Sequence, residues 1–158
     1  MKKEHLSYYG IGPYYVWTIM ILSVIAVILS YKNIIPTFTN NIYSILSKIL
    51  GSVFFILFLI IWSLSVFVSK IDKNIKENNL VTTGIYAYVR NPIYSAMMFC
   101  SWGILLWGNN MYILMLAPLY WILMTIMVKH TEEKWLLKLY GDEYAEHCKK
   151  VNRCFPWF

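Results

Sequence analysis

Charge is what this 158-residue chain has least of: 14% of its residues are Asp, Glu, Lys or Arg, where a soluble globular domain carries about 25%. Disordered chains and basic nucleic-acid binders depend on charge, so both classes are excluded, and no nucleic-acid partner is expected. Cysteine is equally sparse. Cys100, Cys148 and Cys154 are odd in number, which argues against a disulfide framework. They form no Cys-x-x-Cys pair, and with His130 and His147 they match no zinc spacing, so no metal is expected. Gly10-Ile11-Gly12 is a lone Gly-x-Gly with no strand before it, which excludes a dinucleotide fingerprint and reads as a flexible lead-in. There is no internal repeat and no low-complexity linker.

Hydrophobic residues make up 59% of the chain and aromatics 18%, with a mean hydropathy of +0.52. They gather into runs near the roughly 17–25 residues that cross a bilayer as a helix. Four such runs predict an all-α integral membrane protein: Tyr14 to Tyr31, Ile49 to Val68, Ile93 to Trp107 and Met111 to Val128. The third is short, with room to extend by a turn. Pro118 near the middle of the fourth predicts a kink. Lys48 and Lys70 would flank the second run as anchors, and Tyr14, Tyr15, Trp17, Trp107, Tyr112 and Trp121 would form an interfacial belt. The opening Met-Lys-Lys before an apolar run is signal-like, but the run is too long and has no cleavage site, so it reads as a retained span.

Of fourteen basic residues, only Lys32 and Lys48 fall on one side of a four-span arrangement. The positive-inside rule therefore predicts both termini in the cytoplasm; the cell inner membrane is the expected location, with the functional side facing the cytoplasm. The net charge of +6 suits contact with anionic membrane lipid.

The chain reads as one membrane domain, residues 1–158, with two plain spans in 1–69 and the chemistry in 70–158. In the tail, Trp135, Leu136, Leu139 and Tyr140 recur at helical spacing; Gly141-Asp142 interrupts, and Tyr144, Cys148 and Val151 form a second stripe. Two short amphipathic helices against the membrane are predicted. Taken one at a time, Arg90 is an ordinary headgroup anchor, Pro92 an ordinary helix start, and Glu132-Glu133 a solvated first turn.

Together they form a pattern. Leu80-Val81-x-x-Gly84-x-Tyr86-x-x-x-Arg90-Asn91-Pro92-x-Tyr94 is followed by a helical hairpin, then Glu132-Glu133, Tyr140-Gly141-x-Glu143-Tyr144 and Pro156-Trp157. From about Asn78 onward the chain resembles the isoprenylcysteine carboxyl methyltransferase family, related to the phospholipid methyltransferases. The resemblance implies a membrane methyltransferase using S-adenosylmethionine, bound on the cytoplasmic side beneath the tail. Its acceptor would be a lipophilic or lipid-linked carboxylate, amine, thiol or hydroxyl, entering sideways from the bilayer. By position, Leu80 and Val81 would line the adenosine. Tyr86, Asn91, Pro92, Ile93 and Tyr94 would hold the ribose and methionine parts, and Glu132 would meet the ammonium.

This chain departs from the family where Asn91 replaces its usual His. Residues 125–130, Thr-Ile-Met-Val-Lys-His, also lack the arginines that eukaryotic members carry before the acidic pair. Glu133, His130 and Tyr144 are the candidates for a base, needed only when the acceptor still carries its proton. A nicotinamide-dependent reductase of the sterol-reductase type, or a non-catalytic protein retaining the fold, are the alternatives.

Overall fold

A computed structural model describes residues 10–37, 39–69, 73–74 and 77–155. Lys2, Lys3, Lys70, Lys76 and the Pro156-Trp157 pair lie outside the described residues. Among the described residues six α-helices are defined: α1 Gly12–Tyr31, α2 Asn41–Ser63, α3 Pro92–Trp107, α4 Leu116–His130, α5 Glu132–Tyr140 and α6 Asp142–Lys150. No strand occurs among the described residues, only an isolated parallel bridge between Val89 and Asn152. The protein is an all-α membrane protein. Among the described residues three stretches are long and apolar enough to cross a bilayer, Gly12–Tyr31, Asn41–Val68 and Ile113–Tyr140, and Pro92–Trp107 is a shorter apolar helix. The apolar part of the third stretch ends near Val128, and the chain turns at Thr131 into the charged helix α5.

Four expectations change. The second span starts eight residues early, at Asn41, because the Asn40 side chain accepts a hydrogen bond from the Tyr43 amide (2.7 Å) and caps the helix. Lys48 therefore sits within α2 rather than ahead of it. Beyond Ser63 the helix widens into a π turn over Leu64–Val68. The third span does not extend: Pro92 opens it, and the Gly108-Asn109 turn, with Asn109 at φ +52°, closes it after sixteen residues. Pro118 causes no mid-span kink. A 3-10 turn over Ile113–Met115 delays the start of α4 to Leu116, and Pro118 falls in its first turn, where a missing amide costs little. Lastly, Tyr15 leaves the aromatic belt. It is buried, and its hydroxyl donates to the Tyr120 carbonyl (3.2 Å), while Tyr14, Trp17, Trp107, Tyr112 and Trp121 are exposed.

The core lies where α1, α2 and α4 close on α3. Gly51 and Gly103 let α2 and α3 cross with backbone nearly touching: a Cβ on Gly103 would stand 3.2 Å from the Gly51 carbonyl oxygen. Phe54, Phe99, Trp102 and Phe155 cluster beside that crossing with centroids 5.4–6.1 Å apart, Trp102 edge to face with Phe54 and Phe99 and the other pairs tilted. The outer face of α2 keeps Ile42, Ile49, Val53, Ile56 and Ile60 exposed, as a lipid-facing surface requires.

Two groups of buried polar side chains are paired inside this apolar frame. Ser23 Oγ donates to the Ile19 carbonyl (2.7 Å) and lies in hydrogen-bond contact with the Tyr120 hydroxyl (3.1 Å), joining α1 to α4. Asn110, fully buried, donates to Ser30 Oγ (2.7 Å) and the Pro36 carbonyl (3.2 Å) and accepts from the Tyr112 amide (2.9 Å). It ties the α3–α4 turn to the α1–α2 loop at one end of the bundle. Replacing Asn110 by Ala should cost about 1–3 kcal/mol, the usual penalty for stranding buried partners. Thermal unfolding in detergent measures this, and an unchanged midpoint would refute the staple.

Candidate functional site

The chemistry-bearing residues collect at the opposite end, where a sharp turn leads into α3. Gly84, at φ +64°, begins a 3-10 turn through Ala87, which carries the buried Tyr86 inward. Farther on, Arg90, Asn91 and Ser95 are strapped to the C-terminal segment. The amides of Arg90 and Asn91 donate to the carbonyls of Asn152 (2.9 Å) and Arg153 (3.2 Å), and Ser95 Oγ donates to the Cys154 carbonyl (2.8 Å). Asn91 adds its own amide, donating to the Arg153 carbonyl (3.3 Å). A neutral amide suits this strap, whatever the family's usual His does at that position.

The adjacent carboxylates of α5 have opposite surroundings. Glu133 is buried and held by two guanidiniums. Arg153 grips it in bidentate fashion through Nε and Nη2, both at 2.8 Å, and Arg90 Nη1 lies 2.9 Å from Oε1. Arg90 Nη1 also donates to Cys148 Sγ (2.7 Å) on α6. The clamp therefore joins the turn before α3, α5, α6 and the C-terminal strap. Arg90 is thus no headgroup anchor, and Glu133 is no solvated helix start.

Glu132 is half-buried and has no cationic partner among the described residues. Its Oε1 accepts from the Ile11 amide (3.0 Å) and from the Tyr94 hydroxyl. Burial pushes its pKa up, opposed by the hydrogen bonds from Tyr94, Ile11 and Gly12. The Gly-Ile-Gly lead-in is accordingly a docked element. Gly10 sits at φ +50° against Glu132, and Gly12 opens α1 packed on the Tyr94 ring.

Among the residues predicted for cofactor binding, Tyr94 and Glu132 touch each other, and Tyr86 is buried in the turn ahead of α3. Pro92 is buried at the start of α3, with Ile93 half-buried behind it. Leu80 and Val81 are half-buried in the irregular stretch ahead of Gly84. The candidate bases fare differently. His130 is exposed in the last turn of α4. Tyr144 is buried with its hydroxyl unpaired among the described residues. Burial raises its pKa, with help from Cys148 and Glu133 against Arg90, so it stays protonated. Glu133 has its oxygens committed to arginines. The residues missed from the sequence are Gly10, Ile11, Gly12, Cys148 and Arg153. Arg153 alone carried a signal, as the last cation of a tail already holding an acidic pair.

The predicted stripe of α6 does pack inward through Tyr144 and Val151, with His147 between them. Burial lowers the His147 pKa, and Arg90 and Lys150 lower it further. Its neutral form is therefore favoured in the fold, and stability is lost as pH falls through its depressed pKa. Thermal stability should drop between about pH 7 and about pH 5, and His147→Gln should flatten that slope. An equal slope in both proteins would exclude His147 as its source.

Residues 44–143 match the model of the phospholipid methyltransferase family. A protein-S-isoprenylcysteine O-methyltransferase of Schizosaccharomyces pombe is 36% identical over 86 residues, covering 54% of this chain and 36% of its own. A probable protein-S-isoprenylcysteine O-methyltransferase of Oryza sativa subsp. indica is 27% identical over 88 residues, 51% of this chain and 42% of its own. The match takes in less than half the length of either relative. No solved structure matches the chain.

Proposed function

The chain belongs to the phospholipid methyltransferase family, and we propose that it is an S-adenosylmethionine-dependent methyltransferase of the membrane, acting on a lipophilic or lipid-linked acceptor. The observation that carries this reading is the contrast between the two adjacent carboxylates. Among the described residues Glu133 has two guanidinium partners, whereas Glu132 has only neutral donors. A half-buried carboxylate without a cation of its own is a site for a cationic ligand group, and the ammonium of the cofactor's methionine part fits it. The phenol of Tyr94 and the buried Tyr86 supply aromatic surface of the kind a sulfonium favours.

When bound, S-adenosylmethionine supplies an electrophilic methyl group whose leaving sulfur needs no protonation. The chain's part is then to bind, orient and exclude water. Glu132 fixes the amino-acid end of the cofactor. Asn91, through the Arg153 carbonyl, and Ser95, through that of Cys154, hold the C-terminal strap over the turn before α3 and keep water from the site. Leu80 and Val81 take the adenosine.

No candidate base is well placed to accept a proton: Glu133 is clamped, Tyr144 is protonated and His130 is exposed. That supports an acceptor needing no base, of which a carboxylate is the simplest; an oxygen acceptor agrees with the relatives' names as O-methyltransferases. We place the catalytic side in the cytoplasm on the charge asymmetry, with the acceptor arriving from the bilayer between α3 and α4.

Titration of the detergent-purified chain with S-adenosylmethionine and S-adenosylhomocysteine tests the proposal. Saturable binding of both is expected, followed by transfer of labelled methyl to a prenylcysteine or lipid acceptor. A folded chain that binds neither is not this enzyme.

A further inference from the structure

The contact that holds Glu132 from the far end of the chain lies outside the family match, which begins at residue 44. Helix α1 has no side-chain cap of its own and no acidic residue in its first turn. A helix start carries partial positive charge and orphan amides, which a carboxylate satisfies. Here that carboxylate is Glu132, 121 residues away in sequence from Ile11. Both neighbouring glycines are required for the fit. A Cβ on Gly10 would overlap Glu132 Oε1, and a Cβ on Gly12 would stand 2.6 Å from the Tyr94 hydroxyl. Gly10 also takes φ +50°, where a side chain is strained. The turn is thus shaped around one side-chain oxygen.

The character of these donors matters. A backbone amide and a phenol orient a carboxylate and favour its ionised form without neutralising it. A carboxylate accepts about four hydrogen bonds, so two donors on Oε1 leave capacity for an ammonium. A lysine in the place of Ile11 would compete with the ligand; a main-chain N–H does not.

We propose that the Gly10-Ile11-Gly12 turn at the head of α1 is a positioning element of the cofactor site, which together with Tyr94 holds Glu132 where it receives the cofactor's ammonium. The inference rests on the methyltransferase reading above, and it makes the first span part of the site rather than a plain membrane anchor.

The test is calorimetric titration of full-length wild type, Gly10→Ala and Gly12→Ala with S-adenosylhomocysteine across pH. Each variant should bind roughly tenfold or more weakly, the loss expected for a hydrogen bond to a charged group. The pH below which affinity falls should also move upward, because the displaced donors no longer favour the ionised Glu132. Tyr94 is the titratable side chain in contact with Glu132 among the described residues, and it stays protonated throughout this range. Melting temperatures identify any variant that has failed to fold. Should Gly10→Ala fail, amide exchange on the wild type decides the matter. The Ile11 amide should be protected, and protected further when S-adenosylhomocysteine binds.

Wild-type affinity and an unmoved pH midpoint in folded variants overturn the inference, as does weaker binding with no shift of midpoint, since that is a purely structural effect. An Ile11 amide indifferent to the cofactor overturns it equally. No binding by the wild type would instead fell the methyltransferase reading, and this inference with it.

Discussion

Replacing Glu133 by Ala should destabilise the protein by about 3–5 kcal/mol, the penalty for removing one member of a buried ion network and stranding its partners. Two guanidiniums depend on this one carboxylate, and the side chains of Arg90 and Arg153 are only 10% and 20% exposed. Total stabilities are about 5–15 kcal/mol, so the loss is a large fraction. The damage should spread because the clamp joins four pieces: the turn before α3, the start of α5, Cys148 of α6 and the strap through Arg153. The tail should loosen before the apolar helices do, so proteolysis at the exposed Lys149-Lys150 pair should accelerate while helical content changes little. Arg153→Lys should lie between, since an ammonium keeps the charge and loses the bidentate grip. Trp fluorescence melts and timed proteolysis in detergent give the ranking. A Glu133→Ala protein that melts with the wild type would falsify the clamp.

The resemblance gives the two members of the acidic pair different roles, but nothing along the chain shows their different surroundings. Sequence periodicity located the apolar helices and both tail helices, because a span needs a long uncharged run and an amphipathic helix needs its stripe. Boundaries set by single side chains escaped: the start of α2 rests on the Asn40 cap, and the start of α4 on how a 3-10 turn accommodates Pro118. The motif identified Tyr94 and Glu132 as belonging together, and they touch. What decides their chemistry is tertiary. Nothing in Gly-Ile-Gly announces that its middle amide reaches Glu132. Nothing in Asn-Arg-Cys announces that its arginine takes Glu133 out of service as a base. Pairing across 121 residues in the first case and 20 in the second leaves no periodicity in one sequence to detect.

That difference makes the Glu132 substitution the complement of the Glu133 one. Glu132→Gln removes the charge and keeps an oxygen for the Ile11 amide and the Tyr94 hydroxyl, so the fold should persist with a melting temperature close to that of the wild type. No buried cation is stranded, because none pairs with Glu132 among the described residues. Binding of S-adenosylhomocysteine should nevertheless weaken by roughly 30-fold or more, since the ligand's ammonium enters a half-buried place and finds a neutral amide. Glu132→Ala should be worse for binding and should also loosen the head of α1, which loses its cap. Glu132→Asp retains charge but draws the carboxylate back by one methylene, and should fall between wild type and Gln. Calorimetry with S-adenosylhomocysteine, beside melts of the same preparations, separates the two effects. If Gln binds as the wild type does, the ammonium is held elsewhere and Glu132 serves only to cap α1. If Gln loses binding while the fold stands, one carboxylate of the pair builds the protein and its neighbour binds the cofactor.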